Sequence, residues 1–285
     1  MGISTRESRV RSVTAGAERL PGRATKAIQL LRLMAADPVE LYDRVRAKFE
    51  VRRRKRRPTR TTYASCGWDS FAVRLRETLG GEVPLVSYER ECADLMAQLA
   101  ERARSMRRVP FPVLFDADPV LARLAYVLTR VLHPETVVET SVALGIVSGC
   151  VLSALERNGQ GRLISIDLPP LGVPADAVGA IIPDALRSRW TLHRGTSTRL
   201  LPRVLGDLPP IGLFMHDSLF TWRNSTREDA QVLPHMADRS AIVANYVQHS
   251  RAFAELVARH RRSMHAVVAA EHKPGEQIGL WVRAA

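Results

Sequence analysis

Two acidic residues, Glu139 and Asp167, have the spacing of a nucleotide-binding site. Glu139 closes a short β-branched run, and Gly145 follows in a tight loop where a missing Cβ lets a ligand approach the backbone. Asp167 ends the next apolar run, about 22 residues beyond the loop, where a carboxylate can accept both hydroxyls of a ribose. The pattern predicts a nucleotide site at the carboxyl edge of a parallel sheet.

A second acidic position, Asp217, follows the apolar run 211–216, and His216 precedes it directly. An imidazole or a carboxylate at such a strand end can remove a proton from a bound hydroxyl, so both residues are candidate catalytic groups. A histidine at this position more often packs or donates a hydrogen bond, and both interpretations of His216 stay open. His249 is a weaker candidate base.

Strand-like and helical segments alternate around these residues. Strands are predicted at 136–139, 162–167, 190–193, 211–216 and 241–244, with helices near 147–158, 197–205, 224–236 and 249–262. Segments 265–270 and 278–282 flank Lys273, Pro274 and Gly275, which is a hairpin signal. We therefore predict an α/β fold, a Rossmann-like, mainly parallel seven-stranded sheet with a C-terminal antiparallel hairpin.

The first part of the chain has a different pattern. Residues 1–22 are polar and aperiodic, which predicts a disordered N-terminus. We expect a helical region with a basic segment and a linker at 23–115, and the α/β domain at 116–285. Its helices are expected near 24–34, from Asp37 onward, and near 70–79 and 88–107, with 58–70 as the linker.

Positive charge is concentrated near the N-terminus. Residues 1–60 carry 17 of the 42 Lys and Arg but 6 of the 29 Asp and Glu, so the rest of the chain is close to neutral. The densest run, 52–57, could bind phosphates, anionic lipid or an acidic partner, or could be a solvated helix end. The near-neutral remainder argues against nucleic acid as a partner.

Several features bear on where the protein resides. No stretch reaches the roughly 18 consecutive apolar residues of a membrane span. The Arg-rich N-terminus lacks the apolar core of a secretory signal, and the three cysteines have no CxxC spacing. These features predict a reduced, cytoplasmic protein.

The densest motif, residues 134–167, reads PETVVETSVALGIVSGCVLSALERNGQGRLISID. This segment resembles the first motif of class I S-adenosylmethionine-dependent methyltransferases, in particular a bacterial group associated with O-methylation of sugars and natural products. The similarity continues in IPDALRSRW at 182–190 and LFMHDS at 213–218. It implies S-adenosylmethionine as cofactor and a small-molecule acceptor methylated on a hydroxyl.

The resemblance also implies roles for individual residues. Glu139 and the loop carrying Ser141 and Gly145 would face the methionine half of the cofactor, and Asp167 its ribose. Asp217 would face the methyl group and the acceptor. Beside the adenine would lie Gly195, Thr196 and Ser197.

The chain departs from the family pattern at informative positions. Ser141 replaces a usual glycine, so a positive φ there would carry a steric cost. Asn245 and Tyr246 replace an acidic pair, and a single carboxylate beside an amide is a poor magnesium cage. We therefore predict no metal ligands and expect that Mg²⁺ is not required. Phe220 stands where the group often has histidine.

Alternative functions remain at this point. The departures favour a catalytically silent, methyltransferase-like binding or scaffold protein as the main alternative. A nicotinamide-dependent dehydrogenase would also use an acidic residue at the end of the second strand, but the GxGxxG fingerprint is absent. A nucleic-acid methyltransferase would use the basic N-terminus. A homo-oligomer is compatible with all of these.

Overall fold

The computed structural model describes residues 23–56, 60–79, 83–106, 111, 117–261 and 263–283. The predicted disorder of residues 1–22 falls outside these ranges.

Among the described residues, five helices precede the first strand, and strands then alternate with helices up to a final hairpin. The helices are α1 (Arg23–Ala36), α2 (Pro38–Arg56), α3 (Trp68–Leu79), α4 (Leu85–Ser105), α5 (Pro119–Leu132), α6 (Ile146–Asn158), α7 (Ser197–Leu205), α8 (Trp222–Val232) and α9 (Ala252–Arg259). The strands are β1 (Thr136–Thr140), β2 (Arg162–Asp167), β3 (Trp190–Arg194), β4 (Ile211–His216), β5 (Met236–Ala244), β6 (Met264–Ala269) and β7 (Gln277–Arg283).

The seven strands form one sheet in the order β3-β2-β1-β4-β5-β7-β6. Strands β1 to β5 pair in parallel, with Val138 opposite Ile164 on β2 and opposite Phe214 on β4. Strand β7 pairs antiparallel with both β5 and β6. The predicted fold class is confirmed, including the terminal hairpin.

Helices cover both faces of the sheet, as the buried apolar strands require. One face packs against α3, α5 and α6 in a core that contains Phe71, Leu124 and Leu152. The other face packs against α7, α8 and α9 around Phe214 and Trp281. Because helices bury both faces of the sheet, the strand ends are fixed, and so are the side chains at the carboxyl edge.

Two boundaries differ from the sequence prediction by four residues or more. Strand β5 starts at Met236 instead of 241, because an irregularity in its pairing with β4 accommodates a segment containing exposed Asp238 and Arg239. Helix α8 ends at Val232, followed by a 3₁₀ turn, Leu233–His235, that contains Pro234. Proline cannot donate the helical hydrogen bond, so the α-helix ends before it.

Helix α2 begins as its sequence predicts, since the Asp37 side chain accepts a hydrogen bond from the Glu40 amide at 2.8 Å. Residues of the predicted linker extend the sheet edge, where the Cys66 amide donates to Val267 and the Ala269 amide donates to Cys66. None of the described helices combines the length and apolarity needed to cross a bilayer.

Candidate active site

The loop between β1 and α6 forms the floor of the site. Three of its residues have left-handed backbone, Ser141 (φ 83°), Ala143 (φ 50°) and Gly145 (φ 96°). Ser141 therefore adopts the conformation that favours the glycine usual at this position, and its Cβ carries the steric cost. At 145 a Cβ would lie 2.8 Å from Ile182 Cγ1, so glycine is required for packing as well as for φ.

Asp167, at the end of β2, holds this loop in place. Its Oδ2 accepts hydrogen bonds from the amides of Val142 at 2.7 Å and Ala143 at 3.0 Å. Both bonds end on one oxygen, so Oδ1 of this cavity-lining side chain is available to a ligand within the part of the chain described. Burial raises the pKa of Asp167, and the two amide donors oppose this effect.

Glu139, at the end of β1, is buried in an internal network. Its Oε1 accepts from the Ser148 hydroxyl at 2.6 Å and the Ser165 hydroxyl at 2.5 Å, and the Trp190 indole donates to Ser165. Burial raises the pKa of Glu139 to about 7, and the nearby Asp167 adds to the shift. The side chain lines the cavity but is oriented by its serine partners.

Thr196 and Ser197 lie where β3 leads into α7. The preceding Gly195 amide donates to the Asp167 carbonyl at 2.8 Å, which sets the loop beside β2. The Thr196 hydroxyl donates to Asp43 at 3.0 Å, and the Ser197 hydroxyl hydrogen-bonds Glu228. Both side chains line the cavity while bonded to other protein groups.

Asp217, one residue beyond β4, faces the centre of the cavity. Its Oδ1 accepts a hydrogen bond from Asn245 Nδ2 at 2.7 Å. Burial raises the pKa of Asp217 to about 6, while the Asn245 bond and the charge of Lys273 lower it. A carboxylate with this pKa is ionised at neutral pH and can still accept a proton.

His216 contacts the cavity wall but has both ring nitrogens occupied. Nδ1 lies 2.5 Å from Glu228 Oε2, and Nε2 lies 3.1 Å from the Ser225 hydroxyl. Glu228 is fully buried and also accepts from Thr140 and Ser218. Burial lowers the pKa of His216, but the charge of Glu228 outweighs it, so the pKa rises. This geometry suits a fixed, charged anchor, and a catalytic role for His216 stays a prediction.

An aromatic wall lies beyond Asp217. The rings of Phe220 and Tyr246 have centroids 4.2 Å apart, and His249 lies 6.0 Å from Tyr246. Lys273 Nζ donates to the Tyr246 hydroxyl at 2.7 Å. His249 is engaged by Glu276 at 2.9 Å, and burial lowers its pKa.

Lys273 was not identified as a site residue from the sequence, where it was noted only as part of the hairpin turn. Asp118 fixes that turn, because its carboxylate caps α5 through the Val120 amide and also accepts from the amides of Glu271 and His272. The second set of donors comes from more than a hundred residues away in the chain.

Helix α2 lies across the cavity, which the sequence did not predict. Glu40 pairs with Arg194 at 2.6 Å, Asp43 with Arg199 at 2.9 Å, and Glu50 accepts from Thr221 at 3.0 Å. These three acidic residues attach the helix to the end of β3, to α7 and to the N-cap of α8. Its residues at 43, 46, 47, 50, 51, 54 and 55 line the cavity, a helical face of period near 3.6.

The cavity has a volume of about 610 Å³. All eight predicted site residues line it: Glu139, Ser141, Gly145, Asp167, Thr196, Ser197, His216 and Asp217. Tyr246 lines it as well, whereas the half-exposed Trp222 lies outside and donates to Glu255. A cavity of this size holds a cofactor with room for an acceptor.

The chain matches the family model for a methyltransferase domain over residues 138–245. Residues 138–245 are thus identified as a methyltransferase domain. The match spans β1 to just beyond β5, which includes every predicted site residue from Glu139 to Asp217. No curated protein matches the chain by sequence.

Solved structures share the fold of this methyltransferase domain. The O-methyltransferase from Bacillus cereus in complex with SAH is 14% identical with a TM-score of 0.54, covering 70% of this chain and 99% of that one. The O-methyltransferase TomG from Streptomyces achromogenes, involved in tomaymycin synthesis and in complex with SAM, is 17% identical with a TM-score of 0.54. There the coverage is 76% of this chain and 97% of TomG.

A metal-binding cluster is not found in the methyltransferase domain or elsewhere within the described ranges, where no three His, Cys, Asp or Glu side chains are arranged to hold an ion. Beside Asp217, an amide, Asn245, takes the place that a second metal-binding carboxylate would need. Its amide donates to the carboxylate, whereas a second carboxylate there would need a cation between the two. That the reaction needs no Mg²⁺ stays a prediction.

Proposed function

We propose that this chain is an S-adenosylmethionine-dependent methyltransferase that methylates a hydroxyl group of a small molecule. The observation that carries the proposal is the common cavity: the loop held by Asp167 and the carboxylate of Asp217 line the same space under α2. In a methyltransferase domain, this supports a nucleotide-type subsite beside a proton acceptor.

The residues present fit the cofactor. Gly145 packs too closely against Ile182 to carry a Cβ, and this glycine loop lines the cavity. Oδ1 of Asp167 is available for ribose hydroxyls, and Glu139 and Asp217 supply negative charge for a cationic ligand. Ser197 and Thr196 border the same space. When bound, S-adenosylmethionine supplies an electrophilic methyl group on a sulfonium.

The chain's own groups align the acceptor and take its proton. Asp217 would accept the proton of the acceptor hydroxyl, whose oxygen would take the methyl group that the bound cofactor would supply. Asn245 and Lys273 keep Asp217 ionised at neutral pH by lowering its pKa against burial. Helix α2 and the aromatic wall exclude water, so that methyl and hydroxyl meet in line.

The test combines binding with turnover. Calorimetric titration should show that wild-type protein binds S-adenosylhomocysteine, and mass spectrometry should detect methyl transfer to members of a hydroxylated acceptor panel. Asp217→Asn should keep the binding and reduce kcat by roughly 100- to 10,000-fold, because it lacks the base. No binding by wild type would overturn the proposal, and Asp217→Asn with full activity would overturn the role of Asp217. Binding without turnover would favour the scaffold alternative.

A further inference from the structure

The cavity lining includes two cations, Arg54 and Lys55, that form no ion pair among the described residues. Along α2, Asp43 and Glu50 bond to the α/β domain, and one turn beyond Glu50 the cavity-lining face continues as Arg54 and Lys55. Arg54 Nη1 is buried and has no hydrogen-bond partner within the described ranges. A buried guanidinium nitrogen without an acceptor is costly, so this position suits a ligand that brings one.

Arg54 lies near the aromatic wall of the cavity. Its charge adds to the burial that lowers the pKa of the His249 imidazole. His249 packs beside Tyr246, whose hydroxyl accepts a hydrogen bond from Lys273. Arg54, His249, Tyr246 and Asp217 all line the same cavity.

Nearby carboxylates are already occupied. Glu276 binds His249 and also accepts from Gln248, and Glu50 accepts from Thr221. The part of the basic run that lies in the structure thus has a cavity-facing member, Arg54, and an exposed neighbour, Arg53, that does not line the cavity. The two arginines provide a matched pair for experiment.

We propose that the acceptor carries an anionic group, a carboxylate or a phosphate. Arg54 and Lys55 bind this group while the acceptor hydroxyl lies at Asp217. This inference rests on the proposed function, because it concerns the substrate class of the same site. The anion takes no part in bond breaking. It completes the hydrogen bonding of Arg54 through charge-assisted bonds. Binding of the anion at Arg54 thereby fixes where the acceptor hydroxyl lies relative to Asp217.

Two pairs of probes test the proposal. In each pair one compound is anionic and the other is its neutral analogue: 3,4-dihydroxybenzoate with 3,4-dihydroxybenzamide, and glucose 6-phosphate with glucose. Calorimetric titrations use the full chain, with and without S-adenosylhomocysteine, so anion preference is measured whether or not the cofactor product binds. The first pair reports on a carboxylate and the second on a phosphate.

Wild type and Arg53→Gln should bind the anionic member of at least one pair roughly 10- to 100-fold more tightly than the neutral member. Arg54→Gln should abolish this preference, and Arg54→Lys should retain part of it, with circular dichroism melting showing that each variant is folded. Equal binding within both pairs, no binding by any probe, or a preference that survives Arg54→Gln would overturn the inference. Failure of S-adenosylhomocysteine to bind would instead overturn the proposed function.

Discussion

Asp167 has two predicted roles that a pair of substitutions can separate. Oδ2 holds the amides of Val142 and Ala143, and Oδ1 is available for a ribose. Asp167→Ala removes both, and it also releases a loop in which Ser141 and Ala143 hold left-handed backbone at a cost of about 1–2 kcal/mol each. Asp167→Asn keeps a neutral acceptor for the loop and removes the charge.

The magnitudes follow from the contacts. Two hydrogen bonds to a charged acceptor contribute about 1.5–3 kcal/mol each, and the burial that raises the pKa of Asp167 offsets part of that sum. We therefore expect Asp167→Ala to lower the free energy of unfolding by about 2–4 kcal/mol and Asp167→Asn by about half as much. Affinity for S-adenosylhomocysteine should fall about tenfold or more in Asp167→Asn, because its amide replaces the ionised acceptor.

Urea unfolding and calorimetric titration measure the two effects separately. The control is Asp184→Ala, since the Asp184 side chain is 96% exposed and makes only a surface ion pair with Arg187 among the described residues. If the free energy of unfolding of Asp167→Ala lies within about 0.5 kcal/mol of the value for the control, the loop is not held by this carboxylate. If Asp167→Asn binds S-adenosylhomocysteine as wild type does, the ribose role is wrong.

Three further outcomes are expected. Asn245→Leu should raise the pKa of Asp217 above about 6, because a lowering hydrogen bond is lost, and the acid limb of kcat/KM should move to higher pH; an unmoved limb would mean another base. Glu228→Gln should lower the free energy of unfolding by about 3 kcal/mol in urea titrations. The stability from this pair is complete above the ordinary Glu228 pKa of 4.5 and below the ordinary His216 pKa of 6.5. This stability is lost as pH falls toward about 2 and as pH rises through the raised His216 pKa. If the difference in free energy of unfolding between wild type and Glu228→Gln did not change with pH, the pairing would be contradicted. Gly145→Ala should destabilise by about 1–3 kcal/mol in thermal melts, because its Cβ meets Ile182 and the backbone of Gly179; an unchanged melting temperature would mean that the loop moves freely.

Much of the fold could be predicted from local patterns. The central parallel strands β1, β2 and β4 are short runs rich in apolar residues, because both sheet faces are buried there. The terminal hairpin has its own turn signal at Lys273, Pro274 and Gly275. The boundaries that were missed, at β5 and α8, are places where a pairing irregularity or a proline interrupts the pattern.

The site could be predicted only as a set of strand ends. Parallel strands meet at one edge, so Glu139, Asp167 and Asp217 had to lie together once the strands were known. Packing between segments far apart in the chain decides which oxygen of Asp167 holds the loop. It also decides that Glu139 accepts hydrogen bonds from two serines. Sequence spacing carries no information on those contacts.

The sequence by itself therefore determined the alternation of strands and helices and the acidic residues at the carboxyl edge of the sheet. It also carried the resemblance that predicts the cofactor class. These features depend on local periodicity and on a contiguous motif. Only the tertiary structure decided that α2 covers the cavity, that Lys273 and Tyr246 form one wall, and that Glu228 binds both His216 and the hydroxyls around it. The physical reason is that a buried polar group needs a partner, and the identity of that partner is fixed by how distant segments pack.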